Sequence, residues 1–65
     1  MDELLVLTIR CIMIVELTSG RHRAIGRHQI RSILGPELGA VVLIMRNRSV
    51  IPITERSARA AGLIR

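Results

Sequence analysis

The sequence predicts an α+β domain, mostly β, running strand, strand, helix, strand, strand, helix and completed by homo-oligomerisation. Three observations carry that expectation. Residues 4–18 alternate, with one wholly apolar face. Two short apolar runs, 40–45 and 50–53, flank a polar turn. Finally, the 65 residues are 49% hydrophobic yet include no aromatic side chain. One chain alone therefore builds only a small aliphatic core of Leu, Ile, Val, Met and Ala. A second copy covering part of the remaining apolar surface resolves the mismatch, and a dimer is the commonest closed form.

Each element has its own warrant. In "LLVLTIRCIMIVELT" (4–18), Leu5, Leu7, Ile9, Cys11, Met13, Val15 and Leu17 share the apolar face. The other face mixes Leu4, Val6, Ile12 and Ile14 with Arg10 and Glu16, as expected of partial cover by a partner chain. "TSGR" (18–21) is turn chemistry. A short strand through Arg23, Ala24 and Ile25 follows, and Gly26 breaks it. "RHQIRSIL" (27–34) places Ile30, Ile33 and Leu34 at helical spacing, which predicts a two-turn helix. Gly35 then suits a left-handed C-cap, and Pro36 cannot continue the helix. "AVVLIM" (40–45) reads as a buried strand, "RNRS" (46–49) as a tight turn and "VIPI" (50–53) as the return strand. Pro52 has no backbone donor, so that strand belongs at an edge or a bulge. "TERSARAAGL" (54–63) closes as a helix, with Thr54 as N-cap, Glu55 in the first turn and Gly62 as the C′ residue. The segments 24–35 and 50–62 are both expected to run from a strand through a breaker into a short helix ending at glycine, a faint internal repeat within a single domain, 1–65.

Charge narrows the partners. The formal charge is +5, and all ten basic residues are arginine, giving a pI near 11.6. Arginine pairs bidentately with phosphates, carboxylates and guanine edges. A genome-wide preference for arginine codons would also remove lysine, so the net charge says more: it favours polyanions. The lone Cys11 makes no internal disulfide, which suits a reducing cytoplasm. Residues 4–17 are too short to span a bilayer and lack the start and cleavage site of a signal peptide. The expectation is a soluble cytoplasmic protein.

Catalysis, a metal and a cofactor are not expected. His22 and His28 are the only histidines, and zinc needs three or four ligands. Ser19 beside His22 lacks an orienting acid, the carboxylates are scattered, and "GRHRAIG" is no P-loop. The strongest feature is "GRHRAIGRHQIR" (20–31), with Arg21, Arg23, Arg27 and Arg31 and no acid between Glu16 and Glu37. Arg27 and Arg31, four apart, would share a face of the predicted helix. Without aromatics to stack on bases, single-strand platforms are disfavoured, and duplex DNA gripped at its phosphates fits better. Arg46, Arg48, Arg56 and Arg59 either extend this surface or pair with Glu37 or Glu55. The rival reading is a non-catalytic interaction module that assembles through its long apolar strand.

The pieces "VELTSGR", "RAIGRHQIRSILG", "PELG", "AVVLIM" and "SVIPI" resemble the swapped-hairpin DNA-binding domains of the AbrB and MazE type, over residues 15–53. The resemblance implies a barrel interleaved from two chains. It also implies a transcription regulator or antitoxin whose basic residues around the first hairpin grip DNA, here Arg21 and Arg23, then Arg27 and Arg31. The chain departs from that pattern at Gly26, where the family usually has proline, and at Gly39-Ala40, where it usually has Gly-Asp. "AVVLIMRNRSVIPIT" also looks like the closing hairpin of small ring-forming regulators of the RemA type.

Overall fold

The computed structural model describes residues 12–65. The expected strand over 4–11, including Cys11, lies outside them. The order is β1 (Ile12–Glu16), β2 (His22–Gly26), a single 3-10 turn (Arg27–Gln29), β3 (Ile30–Glu37), β4 (Ala40–Met45), β5 (Val50–Thr54) and helix α1 (Glu55–Ala60). All strand pairings are antiparallel, in a two-stranded sheet β1–β2 and a three-stranded sheet β3–β4–β5. The domain is mostly β with a short C-terminal helix, and the described strands form no closed barrel.

The alternation expected of the first strand holds where it is described. Val15 is fully buried, Met13 and Leu17 pack against the core, and Ile12 and Ile14 on the other face are exposed. The β1–β2 hairpin docks on β5 through the bridge Leu17–Ile53 and the bond from Thr18 N to Pro52 O (3.2 Å). Pro52 therefore sits on the outer strand of its sheet, with its carbonyl turned away from β4, and its missing donor costs no ladder bond. Glu16 N donates to Ser57 Oγ (2.9 Å), tying the hairpin to α1. The core lies where the two sheets and α1 meet. It is built from Val15, Ile25, Val41, Leu43, Met45, Ile51, Ile53 and Ala58, all aliphatic.

Helix α1 carries the expected caps. Thr54 Oγ1 accepts from Ser57 N at 3.1 Å. Gly62 has φ +74°, Gly62 N donates to Arg59 O (3.0 Å) and Leu63 N to Ala58 O (2.9 Å). These two bonds form a Schellman closure, with Gly62 supplying the left-handed residue.

The helix expected over 27–34 is not formed. One 3-10 turn, Arg27–Gln29, leads directly into the eight-residue strand β3. Its pairing explains the spacing that suggested a helix. Ile30 pairs with Met45 and Ile33 with Leu43, so partners three apart on β3 match residues two apart on β4. A β-bulge, with Arg31 and Ser32 together opposite Ile44, absorbs the extra residue. A second irregularity between Leu34 and Glu37 contains Gly35-Pro36. Gly35 does take a positive φ, +108°, but inside β3 and not at a helix end. A Cβ there would come within 3.0 Å of Ala40 O.

Candidate nucleic-acid interface

The four arginines singled out by sequence occupy three different settings. Arg21 lies in the turn leading into β2, and Arg23 lies on β2 opposite Val15; both are exposed. Arg27 lies in the 3-10 turn, and its Nη2 donates to Ala61 O at 2.9 Å. That bond satisfies a carbonyl just past α1, so Arg27 acts at least partly as a structural cap. Arg31 is exposed within the β3 bulge. Arg27 and Arg31 therefore do not share a helix face, because there is no helix to carry them. Arg21 and Arg23 remain neighbours on one hairpin.

The fold brings Arg46 to that hairpin instead. Arg46 N donates to Gln29 O (2.8 Å) and its Nε donates to His28 O (2.8 Å). These bonds hold the β4–β5 turn against the 3-10 turn. Arg23, His28 and Arg46 consequently line one groove. The turn owes its shape to local chemistry: Asn47 Oδ1 accepts from Ser49 N (2.9 Å), and Arg48 takes φ +73°. Sequence offered little to select Arg46 over Arg48, because the contact that positions it spans 17 residues and joins two turns at the far end of the β3–β4 ladder.

No carboxylate forms an ion pair with the cluster among the described residues. Among the described residues the one ion pair is Arg59–Glu55 (2.6 Å), four apart on α1. It realises the pairing expected for one of the later arginines and involves none of Arg21, Arg23 and Arg46. Glu16, paired with His22 in the β1–β2 ladder, engages Thr54 through its carboxylate (3.4 Å) and forms no ion pair among the described residues. His22 and His28 stand on different elements, and no three His, Cys, Asp or Glu side chains converge among the described residues. Among those residues, too, no helix is long and apolar enough to cross a membrane.

Two apolar outer faces complete the surface. On β1, Ile12 and Ile14 are 49% and 70% exposed. On the side of the larger sheet away from the core, the cross-strand rows Leu34–Val42–Pro52 and Ser32–Ile44–Val50 contain no charge.

Comparison with known proteins gives no match: no family model, no curated protein and no solved structure aligns with the chain.

Proposed function

We propose that this chain is a small basic protein that binds duplex DNA as a homo-oligomer, gripping phosphates with arginines in the manner of a transcription regulator or antitoxin. The observation that carries the reading is the hairpin cluster: Arg21 and Arg23, joined by Arg46, exposed and without an acidic partner among the described residues. Arg31 adds charge nearby in sequence, and Arg27 contributes what its capping bond leaves free. Guanidinium groups held on a strand and a hydrogen-bonded turn lose less freedom on meeting a phosphate than groups on a loose loop. Fluorescence anisotropy with a random-sequence duplex at low salt tests the reading. Binding is expected, weakened by Arg21→Ala with Arg23→Ala; no binding, or binding unchanged in the variant, overturns it.

The exposed apolar faces favour a second component of function, assembly with a further copy of the chain. The uncharged rows around Leu34 and Val50 suit face-to-face packing about a two-fold axis, with the carboxylate of the next row, Glu37–Ala40–Thr54, at the margin of the contact. If assembly alone is the function, as an interaction module, Ile12 and Ile14 on the outer face of β1 are its natural contacts. Light scattering at micromolar concentration separates the cases. A dimer without duplex affinity supports the module, and a monomer at that concentration removes assembly from both readings.

A further inference from the structure

Between β2 and the β4–β5 turn lies a groove of about 340 Å³, within the range of about 300–1,000 Å³ usual for small-ligand sites. Its floor is apolar and fixed: Ile25, Met45 and Ile51 are all buried. Its rim carries Arg23, His28 and Arg46, and no carboxylate lines it among the described residues. The rim is also braced. Arg46 is held by the carbonyls of His28 and Gln29, and the Gln29 side chain accepts from Gly26 N (3.2 Å). The His28 ring lies over Gly26, so closely that a Cβ there would stand 2.8 Å from its Cε1. With Nε engaged, the two Nη groups of Arg46 have no acceptor among the described residues, and neither does the Arg23 guanidinium.

We propose that this groove binds an organic phosphate of nucleotide size. The phosphate sits among Arg23, His28 and Arg46, and the organic body covers Ile25, Met45 and Ile51. Two guanidinium groups and an imidazole offer donors that match phosphate oxygens. The apolar floor gives inorganic phosphate nothing to bury, so it sets a preference for an ester over the bare anion. The idea deepens the phosphate-gripping reading above and rests on it for the ligand class. A free nucleotide and the phosphorylated end of a nucleic-acid strand present the same chemistry.

The test is a titration of the full chain, followed by backbone amide NMR, with adenosine monophosphate, adenosine and inorganic phosphate in parallel. Adenosine monophosphate is expected to shift the amides of Arg23, Gln29 and Asn47 and to saturate near about 1 mM, with each fragment about tenfold weaker or worse. Arg23→Gln, at an exposed strand position, is expected to cost about tenfold. Gly26→Ala, which drives the His28 ring off the rim while leaving both arginines, is expected to weaken the monophosphate more than adenosine. A short duplex with a 5′-phosphate, compared with its unphosphorylated twin, assigns the source: tighter binding of the former indicates strand ends, equal binding a free nucleotide. Absence of groove shifts at about 10 mM, equal affinity for adenosine, or an unaffected Arg23→Gln overturns the proposal. Duplex binding that survives such a result leaves the DNA reading standing; groove binding without duplex affinity overturns that reading alone.

Discussion

Salt dependence offers the most exacting check on the hairpin cluster, because it counts phosphate contacts and is indifferent to the base sequence. Each phosphate neutralised on duplex DNA contributes about −0.9 to the slope of log K against log salt. The hairpin cluster is Arg21, Arg23 and Arg46, exposed and free of acidic partners among the described residues; contacts from these three alone give a slope of about −2.7 per protomer, and each further arginine that meets a phosphate adds about −0.9. Raising salt from about 50 to about 200 mM then lowers affinity about 40-fold per protomer. The double variant Arg21→Ala, Arg23→Ala keeps Arg46 alone, with a slope of about −0.9 and a loss of about 3.5-fold over the same range. A dimer engaging both hairpins doubles each slope. The assay is anisotropy of a labelled random duplex over four or more salt concentrations, with circular dichroism to confirm that the variant folds. Both substituted side chains are exposed, so the fold has no stake in them. A variant slope equal to that of the parent would refute the assignment, and so would a parent slope near zero.

Three further outcomes test the architecture. Ile53 is fully buried and bridges to Leu17; truncating such a side chain costs about 2–5 kcal/mol. A 65-residue domain has roughly 3–10 kcal/mol in total, so Ile53→Ala in urea denaturation followed by circular dichroism should remove a large fraction or unfold the chain, and a loss below about 1 kcal/mol would contradict the core described. Thr54→Ala removes the oxygen that accepts from Ser57 N and should cost about 1 kcal/mol, with Thr54→Ser recovering most of it. Deleting Arg31 should leave a folded protein, whereas deleting Val42 from the unbulged ladder between β4 and β5 should not; equal damage from the two would count against the bulge.

That last contrast also explains what was legible in the sequence and what was not. Where a strand is regular and its outer face polar or mixed, period and burial coincide, so Met13, Val15 and Leu17 on β1 fall inward at every second residue; β4 was legible by its unbroken apolar run, within which Val41, Leu43 and Met45 are the buried residues. Local cap signals were legible too: Thr54 and Gly62 each act within a few residues of themselves. Strand β3 defeats the same logic because its bulge spaces Ile30 and Ile33 three apart while both face Met45 and Leu43. Three is the spacing of a helix face, and short apolar runs do not resolve the ambiguity by pattern alone. Tertiary pairing resolves it, through a β4 that is itself a strongly apolar strand with β-branched residues, ready to pair on both edges.

The consequence reaches the candidate site. On a helix, Arg27 and Arg31 would project together, and the cationic surface would be continuous along residues 21–31. On a 3-10 turn followed by a bulged strand they part: Arg27 turns to the carbonyl of Ala61, and Arg31 is taken up by the bulge. The same change of path lets Gln29 and His28 receive Arg46 from the far turn. The irregularity that made the segment read as a helix thus redistributes the positive charge, from a stripe along one segment to a cluster assembled from two. Deleting Arg31 separates the two roles of that residue. The deletion brings Ile30 and Ile33 to two-residue spacing, matching Met45 and Leu43 without a face change, whereas a deletion at Val42 flips one part of β4 relative to both neighbours. If the deleted protein keeps its fold and its salt slope, Arg31 serves neither the core nor the phosphate contact; if the slope falls by about 0.9 per protomer with the fold intact, Arg31 belongs to the contact surface after all.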